Sequence, residues 1–153
     1  MARLSDLPPA LARHIAGLPC PTFDTTPRAD GPPLSERRVA LVTTAGLMRR
    51  GDRPFGPGSG DYRVIPGDTA GGDLVMTHIS VNYDRTGFQQ DLNVVLPLDR
   101  LNEMAADGEI GSVAAFHYSV MGATDPEAMR ADAADIVGLL KADGVDAVVF
   151  APV

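Results

Sequence analysis

Two continuous runs of apolar and β-branched residues constrain the fold of this chain more than any other feature. Arg38–Thr44 is the run RVALVTT, and Val145–Phe150 is the run VDAVVF. Neither shows the strict polar–apolar alternation of a strand with one wet face, so each is typical of a strand covered on both faces. Strands of that kind occur in parallel sheets that have helices on both sides.

A helix is predicted directly before the second run, over Asp125–Asp143. Thr124 is a suitable N-cap, and Gly144 stands where a helix-ending glycine belongs. A helix followed at once by a buried strand is half of a βαβ unit. We therefore predict a three-layer α/β fold, in which a mostly parallel sheet is flanked by helices. We expect it to be incomplete at its C-terminus, because a strand covered on both faces is normally followed by a covering helix.

Residues 1–33 differ in composition from the rest of the chain. They hold a possible short helix over Asp6–Gly17, followed by a proline-rich and polar stretch that has no apolar core of its own. We therefore divide the chain into an N-terminal helix and proline-rich arm, residues 1–33, and an α/β domain, residues 34–153.

The α/β domain carries weaker signals between the two apolar runs. Glycines and prolines crowd Leu47–Gly60, which predicts a long surface loop, and Ile79–Asn93 is polar and irregular. The other predicted elements are strands over Tyr62–Ile65, Asp73–His78 and Ser112–Val120, and a helix over Leu98–Ala106.

Composition and charge exclude several classes of function. The 153 residues carry a net charge of −7, which argues against binding to nucleic-acid phosphates. The one cysteine, Cys20, can form no disulfide within the chain. No apolar run is long enough to span a bilayer, and the N-terminus lacks the pattern of a signal peptide. The expected location is the cytoplasm, with no membrane and no nucleic-acid partner.

Residues able to carry chemistry lie where the predicted strands end. In open α/β sheets, ligands bind at the carboxyl ends of the strands, which directs attention to Thr44, Gly46, His78 and His117. His14, in the N-terminal helix, is interpreted as a solvated surface residue. The irregular segment that follows His78 adds polar groups that are costly to bury unless they pair or bind a ligand. These are Asp84, Asp91 and Asn93.

The residues alone leave two other kinds of site open. His78, Asp84, Asp91 and His117 could together bind a metal ion, although their spacing matches no specific metal motif. The locally basic loop Arg49–Arg53 could hold a carboxylate or phosphate, but a solvated loop that pairs with nearby acids is the simpler interpretation.

An ordered series of short segments distinguishes this chain. The segments are Arg38–Gly46, Arg49–Asp52, Tyr62–Pro66, Thr77–His78, Asp84, Asp91 with Asn93, Pro97–Leu101, Gly108–Ala114, His117–Gly122 and Lys141–Val148. In this order they resemble a known protein family, selenoprotein B of the glycine/sarcosine/betaine reductase and D-proline reductase family. The resemblance extends over roughly Leu34–Val153, as the N-terminal part of a longer reductase subunit.

The resemblance implies an oxidoreductase that reductively cleaves a C–N bond of an amino acid or its N-methyl derivative. Thiols are the reductant, and a pyruvoyl group on a separate partner subunit holds the substrate amine. The redox nucleophile of the family is a selenocysteine, or a cysteine in some members, and a selenolate suits this work because it is ionised at neutral pH. In the family it follows directly after the strand that matches Val145–Val153, so we expect it just after Val153. We therefore hypothesise that the reading frame was called or translated only as far as a UGA selenocysteine codon after Val153.

Carried over to this sequence, the resemblance implies a site with His78 and His117 as candidate catalytic residues that donate a proton to the leaving amine. Thr44, Gly46, Asp84, Asp91 and Asn93 are the candidate substrate-binding residues, and no metal is expected. Two alternatives stay open at this stage. One is a non-catalytic α/β binding or interaction module, for example a homo-oligomer. The other is a metal-dependent hydrolase or lyase built on His78, Asp84, Asp91 and His117.

Overall fold

The computed structural model describes residues 3–19, 22, 24–26, 29–80 and 85–153. The helices are α1 (Pro9–Ala16), α2 (Thr86–Gln90), α3 (Leu98–Ala106) and α4 (Arg130–Ala142). The strands are β1 (Arg38–Thr43), β2 (Leu47–Arg49), β3 (Tyr62–Pro66), β4 (Leu74–Met76), β5 (Ser112–Val113), β6 (Phe116–Val120) and β7 (Ala147–Ala151). Turns of 3₁₀ helix lie at Leu4–Asp6, Leu34–Glu36, Gly71–Asp73, Leu92–Val94 and Pro126–Met129. None of the helices within the described ranges is long and apolar enough to cross a membrane.

Strand β1 is the centre of the main sheet and pairs in parallel with β5, β6 and β7. Val39 pairs with both Val113 of β5 and Ala147 of β7, so those two strands lie on opposite sides of β1. Val42 likewise pairs with both Tyr118 of β6 and Phe150 of β7, so β6 lies on the same side of β1 as β5. Strand β3 then adds to β6 in the antiparallel direction. Across the sheet, β3 comes first, then β6 and β5, which pair with different parts of the same side of β1, then β1 itself and finally β7. The sheet is mostly parallel, as predicted.

The two faces of β1 are buried in two separate hydrophobic clusters. Alternate residues of a strand point to opposite faces of its sheet. One cluster includes Val39 and Leu41 of β1 with Leu98 and Leu101 of α3. The other includes Ala40 and Val42 of β1 with Ile136 and Leu140 of α4. Helices therefore cover the sheet on both faces, which confirms the three-layer α/β prediction.

Two segments that were predicted to lack regular structure contain some. Residues 47–49 open the predicted loop Leu47–Gly60, but they form β2, which pairs antiparallel with β4. The cause is long-range, because Leu47 is fully buried in the α3-side cluster and its strand partner Met76 lies 29 positions further along the chain. The predicted irregular segment Ile79–Asn93 contains α2.

Two further predictions differ from the structure, one about the start of a helix and one about the burial of a strand. The helix predicted over Asp125–Asp143 begins as a 3₁₀ turn, and its N-cap is Asp125 rather than Thr124, because the Asp125 carboxylate accepts the Glu127 N–H at 3.0 Å. Val145–Phe150 was interpreted as a central strand covered on both faces. Within the described part of the chain, β7 pairs only with β1, and Phe150 is 71% exposed.

A charged cross-link joins the C-terminal end of α4 to the start of β1. The Arg38 guanidinium lies 2.7 Å from the Asp143 carboxylate and also donates to the Val113 carbonyl at 2.9 Å. The other Asp143 oxygen accepts the Ala115 N–H at 2.8 Å. Asp143 therefore ties α4 to the break between β5 and β6, where the ladder with β1 is interrupted.

Replacing Asp143 should destabilise the fold much more than breaking a surface ion pair. Asp143→Ala should lower the free energy of unfolding by about 2 kcal/mol, because the Arg38 charge and the Ala115 N–H both lose their acceptor. Glu127→Ala is the control, since Glu127 and Arg130 form an exposed pair that should leave stability unchanged. Urea unfolding measures both variants, and equal effects would refute the cross-link.

Candidate functional site

The ends of β1 and β6 interlock and create the setting for a site. Beyond β1, the Gly46 N–H donates to the Val120 carbonyl at 3.0 Å, and beyond β6, the Gly122 N–H donates to the Thr44 carbonyl at 3.0 Å. A Cβ atom on Gly122 would lie 2.8 Å from the Thr44 Cβ, so only glycine fits this approach. The chain leaves β1 towards the α3 face and leaves β6 towards the α4 face, which makes this end of the sheet a topological switch point.

His78 lies against the same interlocked ends. Gly46 has φ +63°, and a Cβ there would approach the His78 backbone to 3.1 Å. The Gly46 carbonyl also accepts the Thr77 N–H at 2.9 Å, which holds the end of the β4 segment in place. Three of the predicted site residues, Thr44, Gly46 and His78, are therefore brought together by the fold.

A pocket of about 930 Å³ opens beside these residues. Its walls come from four parts of the chain. These are α1 with the residues after it, the segment after β4, the connection between β6 and α4, and the segment after β7. The lining residues are His14, Ile15, Leu18, Pro19, His78, Ser80, Gly122, Ala123, Thr124, Asp125, Pro126, Glu127 and Val153. We call it the strand-end pocket, because the chain segments that follow β6 and β7 both line it.

Thr44 connects the pocket to the end of the chain segment after β7. The Val153 N–H donates to Thr44 Oγ1 at 2.9 Å, and the same hydroxyl lies 3.4 Å from the Val153 carbonyl. The Thr44 N–H also donates to the Ala151 carbonyl at 3.2 Å. These bonds hold the backbone of Val153 at the pocket wall.

His78 is 6% exposed, and its environment favours the neutral imidazole. Burial lowers the pKa of His78, and the positive charge of Arg85 lowers it further. The Ser80 N–H donates to His78 Nδ1 at 3.2 Å, so the neutral ring carries its proton on Nε2. His78 is thus placed in the pocket wall as a neutral hydrogen-bonding group.

His117 lies in the core, away from the lining of the strand-end pocket. It is 0% exposed, and the Leu41 N–H of β1 donates to its Nδ1 at 3.0 Å. Burial lowers the pKa of His117, Asp143 partly opposes that shift and Arg38 adds to it, and the resulting pKa is about 4. Between β5 and β6 the imidazole replaces the backbone carbonyl that would otherwise accept the Leu41 N–H. This geometry supports a structural role, and the catalytic assignment of His117 stays a prediction.

Asp91 and Asn93 form an exposed turn rather than part of the pocket lining. The Asp91 carboxylate accepts both the backbone N–H of Asn93 at 2.9 Å and its side-chain amide at 3.0 Å. The Asn93 amide also donates to Asp99, and its carbonyl oxygen accepts the Asp99 N–H. Through these bonds the two side chains cap the 3₁₀ turn Leu92–Val94 and the start of α3.

The remaining sequence predictions have different outcomes. Asp84 and Cys20 lie outside the described residues. In the basic loop, Arg49 lies 3.7 Å from Asp52, and Arg50 donates to the Gly72 carbonyl. Those arginines are exposed and do not line the strand-end pocket. Among the residues that the structure describes, no group of three or more His, Cys, Asp or Glu side chains could hold a metal ion.

Sequence reasoning missed α1 as a wall of the pocket. His14, interpreted as a solvated residue, is exposed but lines the pocket, with Ile15 beside it. Gly122 ends the segment His117–Gly122, but its approach to Thr44 depends on the register of β1 against β6. The helix predicted over Asp125–Asp143 begins with residues that also line the pocket, Asp125, Pro126 and Glu127.

Comparison with known proteins adds an independent observation. The model of the family "Glycine/sarcosine/betaine reductase selenoprotein B" matches residues 12–152. The chain is 33% identical over 120 residues to the D-proline reductase subunit gamma of Acetoanaerobium sticklandii, which covers 76% of this chain and 49% of that protein. It is 34% identical over 140 residues to the glycine reductase complex component B subunit gamma of Carboxydothermus hydrogenoformans, covering 87% of this chain and 32% of that protein.

A third relative is the betaine reductase complex component B subunit beta of Peptoclostridium acidaminophilum. It is 35% identical over 124 residues, which cover 76% of this chain and 28% of that protein. The chain thus spans between about a quarter and a half of the length of these relatives. No solved structure matches it significantly. The match over 12–152 shows that the chain belongs to the glycine/sarcosine/betaine reductase selenoprotein B family.

Proposed function

We propose that this chain is the N-terminal part of a component B subunit in an amino-acid reductase complex, and that the strand-end pocket is its reaction centre. The observation that carries the proposal is the meeting of Thr44, Gly122, His78 and Val153 at the carboxyl ends of the parallel strands. Membership of the family supports the type of reaction, because relatives are named glycine, betaine and D-proline reductase components.

The proposed reaction breaks a C–N bond of an amino acid or an N-methyl derivative. The carbon and the nitrogen each gain a hydrogen, the nitrogen leaves as an amine, and a thiol supplies the two electrons and is oxidised. We infer that a selenocysteine or cysteine follows Val153 in the natural protein and supplies a nucleophile that is ionised near neutral pH. The hydrogen bonds that tie the Val153 backbone to Thr44 beside the pocket support this location for the nucleophile.

The chain's own residues then hold and orient the reacting groups. Thr44 fixes the backbone that leads to the nucleophile, and Gly122 allows the close approach to Thr44 beside the pocket. His78 offers a neutral imidazole with its proton on Nε2, since its lowered pKa disfavours the imidazolium. If the proton donor to the leaving amine were an imidazolium, His78 would act only below the ordinary histidine pKa of about 6.5.

A partner subunit is part of the proposal. Relatives are named as subunits of reductase complexes, which supports an assembly of several chains. We propose that the partner carries a pyruvoyl group that holds the substrate amine, in the cytoplasm, while this chain supplies the strand-end pocket. Arrangement as a homo-oligomer within that complex is compatible with the exposed edge of β7.

The two alternatives from the sequence gain less support. A metal-dependent hydrolase or lyase would need His78, Asp84, Asp91 and His117 at one centre. His117 is instead in the core and Asp91 caps a surface turn. A purely non-catalytic module has no observation in its favour beyond the exposed edge at β7.

The test is expression of the gene with the DNA that follows the Val153 codon, together with its neighbouring subunit genes and with selenium supplied. The complete complex is incubated with a dithiol and with glycine, sarcosine, betaine or D-proline, and amine release or ring opening is measured against dithiol oxidation. We expect at least one of the four to be cleaved, with one dithiol oxidised per C–N bond broken. Absence of cleavage with all four would refute the proposed function.

A further inference from the structure

Helix α1 lies across the strand-end pocket although it belongs to the arm rather than to the sheet domain. Its residues His14 and Ile15, and Leu18 and Pro19 just after it, form one side of the pocket. The pocket lining also includes Pro126, which lies just before α4. A ligand in the pocket would therefore contact both the arm and the sheet domain.

The attachment of α1 is weak in comparison with that of the other elements. None of its residues is buried, and Ile15 is half-buried. In the described part of the arm, the backbone hydrogen bonds of residues 3–18 all close within that segment. Pro8 is the N-cap of α1, Pro9 is its first residue and Pro19 follows the helix, so local sequence determines where α1 starts and stops.

We propose that α1 is a specificity-determining wall of the strand-end pocket, and that Ile15 contacts the carbon groups of the bound substrate. The inference rests on the proposed function and deepens it. Apolar residues make up much of the pocket lining, beside the polar His78, Ser80 and Thr124 and the acidic Asp125 and Glu127. The apolar ones include Ile15, Leu18, Pro126 and Val153. Such a lining favours methylated or cyclic amino compounds over glycine, because only the former bury additional C–H surface against it.

Hydrogen exchange on the complete complex tests the placement without any substitution. Exchange is followed by mass spectrometry with and without saturating betaine, D-proline, sarcosine or glycine. We expect the amides of residues 10–16 and 122–129 to be slowed together by the compound that binds. Slowing at 122–129 alone would overturn the inference and leave the proposed function standing. No slowing with any of the four would overturn both.

A matched pair of variants tests the specificity. Ile15→Ala removes apolar surface from the pocket wall, and Leu11→Ala removes the same kind of surface from a half-buried residue of α1 that does not line the pocket. We expect Ile15→Ala to weaken the binding of betaine or D-proline relative to glycine by about fivefold, and Leu11→Ala to leave that ratio unchanged. Equal changes in the two variants, or an unchanged ratio in both, would overturn the inference.

Discussion

His117→Ala should lower the free energy of unfolding by about 4 kcal/mol, because it leaves both a cavity and an unsatisfied buried N–H. The His117 side chain is fully buried, and its Nδ1 is the acceptor for the Leu41 N–H in the middle of β1. Alanine can neither fill the space nor accept that hydrogen bond. A loss of this size is a large part of the stability of an ordinary domain.

The same histidine should make the fold sensitive to acid. Its folded-state pKa of about 4 lies below the ordinary histidine value of 6.5. Its contribution is therefore fully present above pH 6.5 and is lost as the pH falls towards 4, where the unfolded chain binds a proton that the folded chain does not. The shift corresponds to about 3 kcal/mol.

Urea unfolding between pH 7.5 and pH 4 measures both effects. His117→Asn is the companion variant, because the amide oxygen can accept the Leu41 N–H and the side chain does not titrate. We expect the wild-type protein to lose stability steeply across this range and His117→Asn to lose much less. If both lost stability in parallel, another group would be responsible for the acid sensitivity.

His78→Ala should reduce turnover of the complete complex by about 100-fold, the lower range for removal of a positioned proton-handling side chain. His78 lines the strand-end pocket, and its neutral ring carries a proton on Nε2. His78→Gln should retain more turnover than His78→Ala, because its amide can donate a hydrogen bond in place of the imidazole. Because the neutral form is required, kcat/KM should fall as the pH is lowered through a value below 6.5.

The control for His78 comes from the other side of the molecule. Asn102 lines a separate pocket of about 540 Å³ with Gly67 and Phe116. Asn102→Ala should leave kcat and KM unchanged, as measured by amine release under the same conditions. Equal turnover in His78→Ala and the wild type would remove His78 from the mechanism.

The parts of the fold that could be predicted are those encoded by local pattern. The start of β1 at Arg38 and both ends of α3 at Leu98 and Ala106 were predicted correctly, because a continuous apolar run and a helical stripe are properties of adjacent residues. Strand β2 was missed, because its three residues lie in a glycine- and proline-rich segment and are ordered by pairing with β4. Such pairing is not visible in neighbouring residues.

The candidate site was predictable to the same extent. The strand-end rule located Thr44 and Gly46 at the end of β1, because parallel strands end on one edge. His78 lies beside them for another reason, because β4 pairs antiparallel with β2 outside the main sheet and Thr77 bonds to Gly46. The rule also selected His117, but that residue lies near the start of β6 rather than at its end. The predicted single strand Ser112–Val120 is interrupted after Val113. The position of α1 over the pocket could not be predicted, because it depends on side chains distant in sequence.

The most direct test of the strand-end pocket as the reaction centre is the turnover of the complete complex with Thr44→Val. This variant keeps the side-chain shape but removes the hydroxyl that holds the Val153 backbone. Thr69→Val is the matched control, a half-buried threonine in the turn after β3, where its N–H donates to the Pro66 carbonyl. We predict at least about a tenfold fall in kcat for Thr44→Val, because small misplacements of a reacting group are costly, and none for Thr69→Val. Equal kcat values for the two variants would contradict the account.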